Sequence, residues 1–427
     1  MSRTSEVVAF AFFLLSLHTG KIQAQQLHRW QSKDGHATEA AFYAFDEEKG
    51  TVTILLPKVV PLDKLHSDSI ELAKRLSGQS DLKGNDAKAP MRVANTENSK
   101  KSFKPTIAID YEPFDIKKWQ AKSISTKMFP WEGEHVVMLT MNNDLNPDVM
   151  KRFVQRLDSG WKIYQDLIGR SPNLFKQVEG KATIAAIPDA GLTCGYGCGY
   201  IGSTGVEVAG FYKKDFPLVQ ANQQAFSHYY FYEMGRNFYL FEDRHSLFIT
   251  GYAVFMRYVC MDALKCDDPG SRGRQVIESC EQAYADSNVS FLKAFTNLEE
   301  GLNEKSHRLL DKAGNRISPS DQPVIYAAAM LKLRRDYGGD AWLKRFYEHL
   351  MKCPKVKPDS RENAIKQSMN WLVAASAAAE KDLTEVFVQR WRMPLGKATT
   401  DYLSKVDWKD KNLDVASVLA AAPFEMK

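Results

Sequence analysis

The chain opens with an apolar run and then changes to alternating hydrophobic and polar positions. Val7 to Leu17 is apolar, follows Arg3, and is succeeded by Ile22-Gln23-Ala24, which ends on a small residue. A run of about eleven apolar residues is far shorter than the ~20 that span a bilayer. The pattern therefore predicts a signal peptide over residues 1–24 and an exported, periplasmic or extracellular, mature chain. An uncleaved anchor is the alternative, and no later segment predicts a stable membrane span.

Residues 25–76 alternate hydrophobic with polar positions over short stretches separated by turn residues. The stretches expected to form strands are Ala40 to Phe45, Thr51 to Leu56 and Val59 to Leu62, with turns at Lys33-Asp34-Gly35 and at Gly50. Such alternation between turn signals is typical of β-strands. We expect a small β module of about fifty residues, a size at which a hydrophobic core is marginal.

Residues 77–104 lose this pattern and become rich in Gly, Asn, Ser, Lys and Asp, which predicts a linker. Beyond it, residues 105–427 mix strand and helix patterns. Strands are expected at His135 to Thr140, Ala182 to Ile187 and, at a sheet edge, Glu207 to Tyr212. A helix is expected from Asn146-Pro147 to Ile168, where Gly169 ends it. Further helices are predicted at 221–239, 247–263, after Gly270, and at 322–350, 362–379 and 383–390. The whole chain is thus predicted to be α+β.

Composition narrows the function classes. Hydrophobic residues make up 44% of the 427 positions, which suits a folded chain with at least one proper core. Basic residues number 57 and acidic residues 52, a net charge of +5 that is too small to indicate nucleic-acid binding. No Walker or Rossmann glycine pattern stands between a predicted strand and helix.

Six cysteines lie beyond residue 190, an even number in a chain expected to be exported. Cys194 and Cys198 enclose glycines that let the backbone fold tightly, so we expect a local disulfide that staples the loop. A CxxxC pair supplies two thiolates, and no further ligands follow at zinc-ribbon spacing. The remaining four are expected to form two more bridges in one of three pairings: Cys260, Cys266, Cys280 and Cys353.

The β module resembles a known interaction domain. The matching residues are Arg29, Trp30, Gly35, Glu39-Ala40, Phe42, Gly50, Val52, Ile54, Val60-Pro61-Leu62, Leu65 and Ser67-Asp68. Their order is similar to the first homology domain of the Sla family of actin-patch adaptors. The resemblance implies a small SH3-like barrel that binds a protein or faces the cell wall, without catalytic residues.

The aromatic segment from Phe226 to Tyr239 contains an incomplete metal-binding pattern. In His-Glu-x-x-His, two imidazoles four apart on one helix face hold a metal, and the glutamate beside the first activates a water. Here Tyr232 and Arg236 stand at the two histidine positions, and Glu233 keeps the position of the base. The spacing is right, but the ligands are wrong.

A second segment, Thr250-Gly251-Tyr252-Ala253, resembles the Glu-Gly-x-Ala pattern of the gluzincin peptidases, whose Glu is the third zinc ligand. Thr250 stands in that ligand's place. The order of strands and helices, and the segment Asp382 to Trp391, are also similar to that family. The resemblance implies a zincin-like domain, a mixed sheet with a helical half, over residues 105–427.

The residues at these three positions, Tyr232, Arg236 and Thr250, are poor zinc ligands. Zinc prefers imidazole, thiolate or carboxylate to a phenol, a guanidinium or an aliphatic hydroxyl. We therefore expect a binding protein without a metal or other cofactor, whose partner is an extracytoplasmic protein or a cell-envelope polymer. The residues expected to line its cleft are Tyr196, Tyr200, Tyr212, His228 and His245.

Three alternatives remain open from the residues. In the first, the aromatic segment is a core helix with an ordinary Glu233–Arg236 ion pair and no peptidase ancestry. In a second, the chain is a metallopeptidase-like hydrolase with Glu233 as general base, whose relocated site combines His228, His245, Glu233 and Asp243. In a third, it is a structural envelope component without a cleft.

Overall fold

The computed structural model describes strand segments between residues 27 and 61, the positions Ser67 and Ile70, and residues 103–244, 249–268, 274–296 and 322–427. The chain divides into two units, Met1–Asn98 and Ser99–Lys427. The predicted signal peptide and all of the predicted linker except its last two residues lie outside the described part of the chain. Those limits therefore stay predictions.

The first unit contains a four-stranded antiparallel sheet in sequential order. Its strands are β1 (Leu27–Gln31), β2 (Ala37–Asp46), β3 (Thr51–Ile54) and β4 (Lys58–Pro61). The register of β2 against β3 shifts between Phe42 and Ala44, which marks an irregularity in the long strand. The β character predicted for this region is confirmed, whereas its SH3-like identity stays a prediction.

The second unit is built on a mixed sheet. Its described strands are β5 (Ile109–Asp110), β6 (Lys127–Glu132), β7 (Val136–Thr140), β8 (Gln177–Val178), β9 (Lys181–Ile187), β10 (Gly197–Gly199) and β11 (Val206–Ala209). They follow the order β10-β11-β9-β7-β6-β5, with β8 paired to β9. The pairs of β9 with β7 and with β11 are parallel, and the others are antiparallel.

The sheet is buried on both faces because β7 and β9 are apolar at nearly every position. Successive strand residues point to opposite faces. Val136, Met138 and Ile184 accordingly join the larger core, on the face covered by the long helices. Val137 and Leu139 join a smaller core under Trp119 on the other face. Continuous apolar strands are expected in a sheet covered from both sides.

The helices occupy most of the remaining described chain. They are α1 (Ile116–Ala121), α2 (Pro147–Ile168), α3 (Phe216–Ala221), α4 (Tyr229–Asn237), α5 (Ile249–Ala263), α6 (Arg274–Asp286), α7 (Phe291–Phe295), α8 (Gln322–Asp336), α9 (Gly339–Leu350), α10 (Arg361–Ala379), α11 (Lys397–Leu403) and α12 (Val415–Ala421). Together with the sheets they confirm the α+β class. None of the described helices has the length and apolar character needed to cross a membrane.

The bounds of α2 are those predicted from its sequence. The side chain of Asn146 accepts from the backbone N–H groups of Asp148 and Val149, and Gly169 ends the helix at φ 70°. A capping asparagine, a proline in the first turn and a left-handed glycine are local signals, so they can be read without knowledge of the fold.

Three predicted elements differ from the structure. The helix expected over 221–239 begins only at Tyr229 as α4, and Ala221 is the last residue of α3. The chain between the two helices instead pairs with the segment after α5: Phe226 donates to the carbonyl of Asp267, and Asp267 to that of Gln224. The helix expected over 322–350 breaks at Gly338 and Gly339, which have φ 112° and 65°. The sheet edge is β10 rather than β11. The glycine-rich loop that contains Cys194 and Cys198, called the Cys/Gly loop below, adds β10 as a further strand outside β11.

Helix α4 is held by close contacts with α2 and α5. A Cβ at Gly160 of α2 would lie 2.4 Å from Cε1 of Phe231, and one at Gly235 would lie 3.2 Å from Cα of Ala253 in α5. The hydroxyl of Tyr164 donates to the carbonyl of Phe231 at 2.7 Å. The position of α4 therefore depends on two glycines and on apolar packing.

We predict that Gly160→Ala destabilises the second unit although alanine is the better helix former. The added methyl overlaps the buried ring of Phe231, and overpacking of this kind costs about 1–3 kcal/mol, more than the ~1 kcal/mol of helix propensity gained. Denaturant unfolding followed by tryptophan fluorescence measures the change. Ser159→Ala, on the exposed side of the same helix, is the control; equal stability of Gly160→Ala and wild type would contradict the packing argument.

Candidate functional site

The three residues of the incomplete metal pattern form one polar group on α4. Tyr232 and Arg236 are four apart and share a face, and Nη2 of Arg236 donates to the Tyr232 hydroxyl at 2.8 Å. The guanidinium carbon lies 5.2 Å from the centre of the Tyr232 ring. Nε of Arg236 lies 3.3 Å from Oε2 of Glu233, within ion-pair distance but not aligned as a hydrogen bond. Arg236 thus contacts both of its neighbours in the pattern.

Glu233 lies under the Cys/Gly loop and is 3% exposed. A Cβ at Gly197 would lie 2.8 Å from its Oε1, and a Cβ at Gly199 would lie 2.4 Å from its backbone carbonyl oxygen. Only residues without a side chain allow the loop to come this close. Burial raises the pKa of Glu233 to about 7, against the opposing effect of the Arg236 charge.

The loop is stapled as the sequence predicts, since Cys194 and Cys198 form a disulfide with Cα atoms 5.8 Å apart. The structure keeps Cys260, Cys266 and Cys353 as thiols, so it does not contain the two further bridges that were expected. Burial raises the pKa of Cys353 to about 12, and it raises that of Cys260 further. These thiols are consequently poor nucleophiles and poor metal ligands.

The residues at the three metal positions do not fit zinc. A guanidinium has donors and no lone pair to give a metal, and the donors of Arg236 point to Glu233 and Tyr232. Thr250 lies half-buried in the first turn of α5. Across the described residues, no three His, Cys, Asp or Glu side chains come together in a way that would hold a metal ion.

His228 is hydrogen-bonded to Asp268, which is not one of the residues of the relocated site. Its Nδ1 lies 2.5 Å from Oδ2 of Asp268, which also accepts from the His228 backbone N–H at 2.9 Å. Burial lowers the pKa of His228, although the hydrogen bond with Asp268 opposes the change. Asp243 is exposed, and His245 lies outside the described residues. The structure therefore does not bring His228, Asp243 and Glu233 together.

The three candidate cleft tyrosines lie in different surroundings. Tyr196 packs on Tyr229 with ring centres 4.5 Å apart. Tyr200 packs between Phe114 and Phe175, at 4.2 and 4.7 Å. The hydroxyl of Tyr212 accepts from the backbone N–H of Met141 at 2.6 Å and donates to the carbonyl of Ala186 at 3.1 Å, so it supports the sheet.

Sequence reasoning missed two polar residues near α4. Asp215 is fully buried, accepts from the Tyr230 hydroxyl at 3.0 Å, and has its pKa raised to about 6 by burial. Arg257 of α5 places its guanidinium carbon 5.8 Å from the ring centre of Tyr232. Arg257 follows Thr250 by two helical turns, so the helix period was the one local signal that could have found it.

No protein-family model matches the chain, and no curated protein matches its sequence. Among solved structures, it is similar to a functionally unknown conserved protein from Bacillus anthracis str. Ames, with a TM-score of 0.39 and 11% identity over 71% of this chain and 59% of that one. It is also similar to the M60 catalytic domain with the CBM51-1 and CBM51-2 domains from Clostridium perfringens ZmpB, with a TM-score of 0.40 and 14% identity. That match covers 96% of this chain and 40% of the other. The chain therefore spans less than two thirds of either structure, and likeness at these scores assigns it neither a family nor an activity.

We predict that Glu233→Gln removes part of the pH dependence of stability. The folded chain holds the Glu233 proton more tightly than the unfolded chain, so this group's contribution is complete below about pH 4.5 and is lost as the pH rises through about 7. At about pH 8 the variant should be more stable than wild type by roughly 1–3 kcal/mol, and at about pH 4 the two should agree. Urea unfolding at both pH values measures the difference. Glu134→Gln, at a side chain 82% exposed, is the control; the same behaviour in both variants would exclude Glu233 as the source.

Proposed function

We propose that this chain is an exported binding protein on a metallopeptidase-like scaffold whose catalytic site is degenerate. The observation that supports it most is the contact of Arg236 with both Glu233 and Tyr232 on α4. Where the peptidase pattern has a metal between two imidazoles, this helix has a guanidinium paired with its own neighbours. Such an arrangement supplies a fixed positive charge and no vacant coordination position for a water or a substrate carbonyl.

A hydrolase with Glu233 as general base is the second candidate. A pKa near 7 is suited to a general base, and this observation favours it. Two others oppose it. Gly197 lies directly on the carboxylate, and the positively charged Arg236 lies within ion-pair distance of Oε2. A base needs a water within hydrogen-bond reach and a group to stabilise the developing oxyanion.

The partner we propose is an extracytoplasmic protein or a cell-envelope polymer, bound without a cofactor. An aromatic strip of Phe114, Tyr200 and Phe175 supports a contact surface, because Phe175 is 56% exposed and the neighbouring Ile201 is 54% exposed. Large exposed apolar groups that adjoin each other are typical of binding surfaces.

The first test compares wild type with Glu233→Gln in zinc content and hydrolysis. After mild dialysis we expect far less than one zinc per chain and no cleavage of a mixed peptide library by either protein. Co-sedimentation with purified envelope polymer and binding to an array of extracytoplasmic peptides should be equal for the two. Stoichiometric zinc, or cleavage that disappears in the variant, would replace the binding role with the hydrolase.

The second test asks whether the three positions can hold a metal when they carry suitable ligands. The triple variant Tyr232→His, Arg236→His and Thr250→Glu should retain about one zinc per chain after dialysis, since a three-ligand site of this type binds tightly. Lys151→His with Gln155→His, at exposed positions four apart on α2, is the control and should lose its zinc. Equal loss from both variants would contradict the assignment of these positions.

A further inference from the structure

Two arginines from different helices flank one tyrosine. The guanidinium carbons of Arg236 on α4 and Arg257 on α5 lie 5.2 and 5.8 Å from the centre of the Tyr232 ring. Arg257 also lies 4.9 Å from the ring centre of Tyr258. Both arginines and Tyr232 are partly exposed, so this cluster reaches the surface of the second unit. Aromatic rings hold guanidinium groups by cation–π attraction and leave their edge N–H groups available.

This cluster contains more hydrogen-bond donors than hydrogen-bond acceptors. Nη2 of Arg257 donates to the Tyr258 hydroxyl at 3.2 Å, while its Nε is buried and has no hydrogen-bond partner in the ranges that the structure describes. Nη2 of Arg236 donates to Tyr232. A guanidinium has five N–H donors, and leaving a buried one without an acceptor destabilises the free protein.

Two carboxylates near α4 contact groups other than Arg257. Glu233 lies within ion-pair distance of Arg236, and Asp268 accepts twice from His228. Neither forms an ion pair with Arg257 in the described structure, and Nη2 of Arg257 donates to the neutral Tyr258 hydroxyl. The cluster therefore offers charge-assisted donors to an acceptor that comes from outside the chain.

We propose that Arg236, Arg257 and the hydroxyl of Tyr232 form a recognition site for a carboxylate of the ligand. This inference deepens the proposed binding function and rests on it. The planar guanidinium fork matches the two oxygens of a carboxylate, and such pairs are among the stronger hydrogen bonds in proteins.

The ligand group has two sources within the proposed partner class. One is an acidic side chain of an extracytoplasmic protein, and the other is an acidic sugar of an envelope polymer. Both present the same carboxylate, so the cluster by itself recognises the group, and contacts outside the cluster select its carrier.

The experiment follows the arginine Nε–Hε resonances of the full chain during titration with sodium acetate at constant ionic strength, with chloride as the reference anion. We expect saturable shifts of the Arg236 and Arg257 signals with acetate and none with chloride. Arg257→Gln should weaken acetate binding by about tenfold to a hundredfold, since a charge-assisted hydrogen bond contributes about 1.5–3 kcal/mol. Arg257→Lys assigns the signal and keeps the charge.

Arg156→Gln is the matched control. Its guanidinium carbon also lies over an aromatic ring, 5.6 Å from the centre of Phe226, but Nη1 donates to the carbonyl of Ala225 at 2.7 Å and Nη2 to that of Gln223. This variant should bind acetate as wild type does. Should Arg257→Gln fail to fold, the wild-type titration alone decides, because unchanged Arg236 and Arg257 signals would overturn the proposal. Equal shifts with acetate and chloride would overturn it too.

Two further probes distinguish the sources. A capped Ala-Glu-Ala peptide is compared with its Gln analogue, and a glucuronate disaccharide with its glucose analogue. Preference for one acidic member, lost in Arg257→Gln, identifies the carrier, whereas equal binding of acidic and neutral members would overturn the carboxylate assignment. If the chain shows no carboxylate preference, no zinc and no hydrolysis, only the carboxylate site is overturned and the proposed binding function is retained. Stoichiometric zinc would overturn both proposals.

Discussion

The candidate site depends on the close approach of the stapled loop to α4. Gly197 and Gly199 meet Glu233 at distances that no side chain at either position would allow. The disulfide between Cys194 and Cys198 restricts the same loop, and β10 pairs it with the sheet through β11. A carboxylate covered in this way loses water, which is why its pKa rises although an arginine lies beside it. The geometry of the loop thereby sets the electrostatics of the helix.

The fold around α4 is largely independent of the polar group on its surface. Gly160 against Phe231 and Gly235 against Ala253 fix the helix through apolar contact on faces that Tyr232 and Arg236 do not occupy. Buried ion pairs add little net stability, because desolvation offsets their attraction. Tyr232 and Arg236 are therefore not the contacts that hold α4 in place, which is compatible with the proposal that they stand where a peptidase has its metal ligands.

Local signals predicted part of this structure and long-range contacts decided the rest. The caps of α2 and the apolar runs of β7 and β9 are properties of a few adjacent residues, and the structure has those elements where the sequence places them. The start of α4 depends on the pairing of Phe226 with Asp267, which no helical period contains. In the site, the spacing of Glu233 and Arg236 on one helix indicated their ion pair, whereas the contact of Arg236 with Tyr232 was not predicted. The pairing of His228 with Asp268 joins different segments, so spacing along the chain could not reveal it. The approach of Arg257 to Tyr232 also joins two helices, and the helix period after Thr250 was its one local signal.

In the proposed function, an arginine at a position that holds a metal ligand in peptidases changes what the site recognises. A zinc ion accepts electron pairs from a neutral carbonyl or a water and activates them, and its affinity falls when its ligands are protonated. A guanidinium donates hydrogen bonds, keeps its charge throughout the physiological pH range, and stabilises an anion without activating it. With Tyr232 as a shared aromatic support, Arg236 and Arg257 concentrate that preference at one place. Under the proposed function, such a site suits an acidic partner, because the fixed charge of Arg236 stabilises a ligand that brings its own carboxylate.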